Sequence, residues 1–154
     1  MLPTGSGVEF VGMKGDRERS WETSVEIQIP FHDVDAMGIV WHGNYVKYFE
    51  VARCALLDSI DYNYGRMVES GYAWPVVNLR VRYPQPARFG QRIVVTAAIK
   101  EFEHRLRIAY LITDAVSGRR MTRGSTVQVA VDMTTNEVCF ASPRILLDKL
   151  GVAS

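Results

Sequence analysis

Residues 43–60 constrain this chain more than any other stretch. Tyr45, Val46, Tyr48, Phe49, Val51, Ala52, Cys54, Ala55, Leu56, Leu57 and Ile60 cover most of a helix's circumference. Only Lys47, Glu50, Arg53 and Asp58 interrupt them, as one narrow polar stripe. A surface helix shows a wide polar face; a helix that is apolar nearly all round is enclosed. Something must wrap around this one. Cys54 reads as a small residue of the resulting core.

The rest of the chain reads as that wrapping. Residues 22–29 alternate, with Val25, Ile27 and Ile29 on one side and Ser24, Glu26 and Gln28 on the other, and Pro30 closes the strand. After the helix, residues 62–70 predict a short second helix that stops at Gly71. Four alternating runs follow, at 73–83, 92–102, 105–113 and 121–133. Pro84 and Pro86 make residues 83–90 a connecting loop, because proline cannot continue a ladder. Ser142 and Pro143 predict an N-cap and a first helical residue for a closing helix that ends at Gly151. The order implies an α+β fold: a long central helix wrapped by a five-stranded, mainly antiparallel sheet. Such a sheet covers one side of the helix and exposes edges, so a symmetric partner is expected.

The chain is long enough for one ordinary domain, here placed over residues 22–154. Residues 1–21 carry Pro3, Gly5, Gly7, Gly12 and Gly15 without sustained periodicity and read as a flexible N-terminal arm. The net charge of +1 gives no reason to expect nucleic acid or a membrane surface as a partner. An anionic ligand would need a local cluster of arginines. Cys54 and Cys139 lack metal-ligand spacing, so neither a metal nor a disulfide framework is expected. No apolar run approaches the roughly 18 residues that span a bilayer, and no signal-peptide core is evident, so a reducing, cytoplasmic location is expected.

The chemistry concentrates just before the helix, in the segment from His32 to Tyr45. Polar groups placed where a helix begins meet unpaired backbone N–H groups and the positive end of its dipole. Developing negative charge can be stabilised there. Asp35, His42 and Asn44 are the polar residues so placed. Gly38 supplies the flexible point of the loop. Asp33, two positions before Asp35, reads as a surface or loop-stabilising carboxylate. Asn44 reads as an N-cap or a loop clamp. Glu50 reads as the partner of Arg53 or Lys47.

Two motifs carry a resemblance. The first is Asp35-Ala36-Met37-Gly38-Ile39-Val40-Trp41-His42-Gly43-Asn44-Tyr45, followed by Tyr48-Phe49-Glu50-Val51-Ala52-Arg53. The second is Tyr83-Pro84-Gln85-Pro86-Ala87-Arg88-Phe89-Gly90, with Gln91 where the usual pattern has Asp. With these motifs the chain resembles the hotdog-fold thioesterases, specifically the 4-hydroxybenzoyl-CoA thioesterase family and the acyl-CoA thioesterases encoded with the Tol-Pal system. The resemblance implies a hotdog fold and hydrolysis of acyl- or aroyl-coenzyme A thioesters without metal or cofactor. It implies that Asp35 is the catalytic carboxylate, as nucleophile or as general base for water. It implies that the backbone N–H at His42 polarises the thioester carbonyl, the role of the His42 side chain staying open. Asn44, Tyr45 and Arg88 are the candidate substrate-binding residues. Arg80, Arg82 and Arg105 are further candidates for the coenzyme's phosphates, and Arg119–Arg123 reads as a solvated strand end. Acyl carrier protein stays open as an alternative carrier. A homodimer assembling to a homotetramer is the expected assembly.

A thioester has a good leaving group, so a carboxylate beside the carbonyl and donors for the oxyanion suffice. Two other functions compete: an acyl-thioester dehydratase or hydratase, and a non-catalytic carrier-binding or scaffold protein of the same fold. The first needs a histidine with an acidic partner in a different motif, which this chain lacks. The second is disfavoured by the presence of Asp35.

Overall fold

The computed structural model describes residues 7–9 and 21–152. In chain order its elements are β1 (Gly7–Glu9), β2 (Glu22–Gln28), a 3-10 turn (Phe31–Asp33), α1 (Asn44–Ser59), α2 (Tyr64–Glu69), β3 (Tyr72–Ala73), β4 (Val76–Arg82), β5 (Arg92–Glu101), β6 (Leu106–Asp114), β7 (Arg120–Gln128), β8 (Val131–Asp132), β9 (Glu137–Val138) and α3 (Arg144–Leu150). The main sheet runs β1-β2-β5-β6-β7-β4, antiparallel at every pairing. Its five long strands are those the alternation predicts. The three-residue β1 adds a sixth at one edge, and β4 forms the other edge.

α1 lies across this sheet, mainly against β2 and β5. Ile93, Val95, Ala97 and Ile99 of β5 and Leu106, Ile108, Tyr110 and Ile112 of β6 turn inward and are buried. Tyr45, Tyr48, Phe49, Ala52, Leu56 and Leu57 meet them from the helix, all nearly inaccessible to solvent. Each large apolar side chain so buried contributes about 1.5–3 kcal/mol. Phe49 stacks on Tyr110 with ring centroids 4.5 Å apart and fixes the rotation of the helix.

That rotation corrects the expected polar stripe. The solvent-facing positions are Lys47, Val51, Cys54 and Asp58, so Cys54 is exposed rather than part of the core. Arg53 turns inward and is only 5% exposed. Its guanidinium pairs with Glu50 one turn away, as the helix spacing suggests.

Other boundaries also moved. The run 121–133 is not one strand. Val129 donates its N–H to the carbonyl of Pro75, and the chain then leaves the main sheet for a small one ordered β3-β8-β9. Pro143, not Ser142, holds the N-cap position of α3, and the Ser142 hydroxyl caps nothing. Gly151 stops α3 as expected, in a left-handed conformation at φ 70°. Within the expected flexible arm, Gly7–Glu9 pair with β2, and Trp21 packs edge-on against Phe102. The remainder of that arm lies outside the described residues.

Candidate active site

The segment between β2 and α1 folds into a small closed hairpin. Val34 and Val40 pair as a bridge, Asp35 N–H donates to Ile39 O at 2.8 Å, and Gly38 N–H donates to Asp35 O at 2.9 Å. Gly38 sits at φ 78°. This is a tight turn with a left-handed residue in its last position, a place where glycine escapes the steric cost of a Cβ. Asp35 is at the tip and exposed. One carboxylate oxygen, Oδ1, accepts the Met37 N–H at 2.8 Å. The other has no donor among the described residues.

The tip is held from two sides. On one side stands the loop 83–90. Ile39 bridges to Arg88, Val40 N–H donates to Ala87 O, and Phe89 N–H donates to Gly38 O. Gln91 secures that loop. Its Oε1 accepts from Arg88 N–H, and its Nε2 donates to the Asp114 carboxylate at 2.9 Å. That bond, first among several, holds the Asp114 carboxyl down from 3.8 to about 2. The residue that departs from the family pattern thus ties the loop to the end of β6.

On the other side stands α1, joined through Asp33. The Asp33 carbonyl accepts from Trp41 N–H at 3.0 Å and from the Asn44 side-chain amide at 2.8 Å. Its carboxylate is buried and accepts from Lys47 Nζ and from Tyr48 OH, the latter at 2.7 Å. Burial alone would raise this carboxyl. The bonds from Lys47 and Tyr48, with the Lys47 charge, outweigh it and hold Asp33 below the ordinary carboxylate range. Burial and the bond to Asp33 push the Tyr48 hydroxyl upward, so it remains a donor. Asp33 is therefore a buried clamp: of the two readings, the loop-stabilising one holds and the surface one does not. No spacing rule announces this, because its partners lie 14 and 15 residues away and meet it only when the hairpin folds back.

The other predicted site residues divide into frame and surface. His42 is exposed, and its ring stacks parallel to Tyr83 at 6.1 Å between centroids. Its backbone N–H has no acceptor among the described residues and stands just ahead of α1. Gly43, and not Asn44, takes the N-cap position; Asn44 is the loop clamp. Tyr45 is buried. Its hydroxyl accepts from Ala87 N–H at 3.1 Å, and its ring stacks on Tyr83. Arg88 is exposed beside a cavity of about 660 Å³ bordered by Gln85, Phe89, Gln91 and Arg119. Asp35 and His42 are thus presented to solvent, while Asn44 and Tyr45 hold the frame behind them. The hairpin and its flanking segments carry an apolar rim: Phe31, Met37, Trp41, Tyr83 and Phe89 are all substantially exposed. Among the described residues there is no cluster able to hold a metal ion.

Comparison with known proteins agrees with this architecture. Residues 29–147 match the model of the thioesterase-like superfamily. The chain is 31% identical over 134 residues to sll0410 of Synechocystis, named as an esterase, covering 86% of this chain and 80% of that one. It is 35% identical over 77 residues to YneP of Bacillus subtilis, named as an acyl-CoA thioesterase, spanning 56% of that protein. The solved DHNA-CoA thioesterase of Staphylococcus aureus superposes with a TM-score of 0.70 at 27% identity, covering 77% of this chain and 80% of that one. The hairpin, the helix it caps and the strands β3 to β9 fall within the matched span, and the chain belongs to the thioesterase-like superfamily, with its hotdog fold.

Proposed function

We propose how this chain carries out the hydrolysis of acyl-coenzyme A thioesters that its family membership assigns to it. Asp35 supplies the carboxylate, and the His42 backbone N–H binds the thioester oxygen as negative charge develops there. The observation that carries this reading is the hairpin itself. It presents an exposed carboxylate on a braced turn, with one oxygen held by a backbone donor and the other free. The amide just ahead of α1 adds a fixed donor where the helix dipole favours an anion. Asp35 either attacks the carbonyl carbon, expelling the coenzyme thiolate and leaving an anhydride for water to open, or takes the proton of an attacking water. Both routes end in free acid and thiol. The exposed rim of Phe31, Met37, Trp41 and Phe89 suits an apolar or aromatic acyl group. The exposed Arg88 would meet a phosphate of the carrier.

Relatives named for coenzyme A esters support that carrier, and others named for acyl-acyl carrier protein keep the protein carrier as the second reading. Assembly as a homodimer through β4, with two such dimers forming a homotetramer, completes the proposal. Its support is that β4 is an open edge whose Val76, Val77 and Leu79 are all more than 40% exposed. Two free cysteines fit a reducing, cytoplasmic setting. Among the described residues no helix is long and apolar enough to cross a membrane.

The test is thiol release from aroyl-, short-chain and long-chain acyl-CoA esters by wild type and Asp35→Asn. Turnover that falls at least about a hundredfold in the variant supports the assignment. Equal turnover by both proteins removes Asp35 from the mechanism and turns attention to Glu50 and His42. A single turnover in water enriched in heavy oxygen separates the two routes: label entering the Asp35 carboxylate marks direct attack.

A further inference from the structure

The face of the sheet turned away from α1 carries a feature that the chemistry at Asp35 does not use. Tyr110, Ile108 and Ile112 point at the helix, so the alternate residues Arg107, Ala109 and Leu111 of β6 point away from it. By register, Ala109 lies opposite Ser125, which lies opposite Arg80; Leu111 lies opposite Arg123, which lies opposite Arg82. Arg80, Arg82, Arg107, Arg120 and Arg123 border a depression of about 390 Å³ whose floor includes Ala109, Leu111 and Ser125. A second depression, of about 430 Å³, adjoins it and shares Arg80, Arg107 and Ser125.

Three observations make this more than a solvated face. First, none of the five arginines forms an ion pair among the described residues. Glu101 on the neighbouring β5 is taken by Arg105, and Glu26, one strand farther off on β2, by Arg92. Second, Arg82 and Arg123 are direct cross-strand neighbours. Like charges placed so repel one another unless an anion lies between them. In a chain of net charge +1, this concentration of positive charge is local. Third, every cation bordering the depression is an arginine and none is a lysine. The planar guanidinium fork grips phosphate oxygens in pairs and stacks on aromatic rings, which a point-charge ammonium does poorly.

We propose that this depression is a second ligand site, separate from Asp35, that binds a nucleotide carrying several phosphates. The floor of Ala109, Leu111 and Ser125 gives a base a surface to lie on, and the arginines on either side meet its phosphates. The volume falls in the range of ordinary small-molecule sites, about 300–1,000 Å³. The sheet stands between this site and α1, so the ligand reaches it without entering the Asp35 hairpin. Such a nucleotide has two sources, a free effector or the coenzyme portion of a thioester bound to the outer face. The proposal does not depend on thioester hydrolysis.

The test is calorimetric titration of the full chain with adenosine 3′,5′-bisphosphate, and with adenosine as the uncharged control. Wild type should bind the bisphosphate and not adenosine. Arg82→Ala with Arg123→Ala should raise Kd by about tenfold or more, while circular dichroism shows the fold intact. Arg107→Ala, across the floor, should weaken binding independently. Repeating the titration on Asp35→Asn saturated with an acyl-CoA ester tells the sources apart: unaltered binding indicates a free effector, and one-for-one displacement indicates the coenzyme itself. Absence of binding to wild type overturns the proposal. So does binding that the arginine substitutions leave unchanged. None of these readings uses turnover, so they stand apart from the fate of Asp35 as catalyst.

Discussion

Asp33 illustrates how one residue can matter without touching a substrate. Its carboxyl is held below its ordinary value of 3.8 by Lys47 and Tyr48 despite burial. A carboxyl depressed on folding stabilises the native state above its unfolded pKa, and that stability is lost as pH falls through the folded value. Asp33→Asn should therefore lower stability at neutral pH by about 1.5–3 kcal/mol, the scale of hydrogen bonds to a charged group. The Lys47 end is half in solvent and screened, so the buried Tyr48 bond accounts for the larger share. The melting-temperature gap between wild type and variant should be widest near neutrality and should close in acid, below pH 3.8; a gap constant across that range would show that the charge is not responsible. The position of Asp35 in the loop ahead of the helix was legible in the sequence through its spacing to Gly38. The work of Asp33 was not, because a buried carboxylate and a surface one look alike until the partners are in place.

The hairpin of residues 34–40 and the strand β7 show the same dependence at the scale of an element. Gly38 is the left-handed residue of the turn, and no neighbour would obstruct a Cβ there. Gly38→Ala should thus cost only the backbone strain, about 1–2 kcal/mol, lowering the melting temperature by a few degrees, roughly 2–4 °C per kcal/mol, and should lower kcat by loosening the turn. A variant with full activity would show that the tip needs no such bracing. Gly124 is the contrasting case. A Cβ there would press on the Phe49 ring and lie 2.5 Å from the Arg80 carbonyl oxygen. Gly124→Ala should destabilise the whole domain by about 1–3 kcal/mol, as overpacking does, by prising α1 from the sheet and β4 from β7; denaturant melts read this directly. The apolar residues of α1 announced an enclosed helix; Tyr45, Tyr48, Phe49, Ala52, Leu56 and Leu57 are buried, while Val51 and Cys54 stay on an open face. Its rotation was less legible. Arg53 and Glu50 pair, which lets a guanidinium turn inward, and Cys54 is left outside.

Over the whole molecule, the edges of the sheet decide what remains exposed. β1 covers the β2 edge, while β4 is bare. If β4 is the dimer seam, a charge placed on it should block pairing, as charged edge strands do. Leu79→Asp should sediment as a monomer at concentrations where wild type is a dimer or tetramer, with its circular dichroism spectrum unchanged. A variant that still dimerises would move the seam elsewhere. The apolar rim around Asp35, some of it on the loop that follows β4, makes activity a second readout of the same substitution.

The amino-acid sequence by itself determined the fold class, the order of the strands along the chain, the long enclosed helix and the motif that carries Asp35. These are local or periodic properties: alternation of two, recurrence at helical spacing, and glycine or proline at turns. Tertiary structure alone decided which carboxylate is clamped and which is free. It also decided which face of α1 meets solvent, where the run 121–133 breaks, and that arginines from three strands gather around a single depression. Those outcomes depend on contacts between residues far apart in the chain. Their partners are chosen by sheet register and packing, which no short stretch of sequence contains.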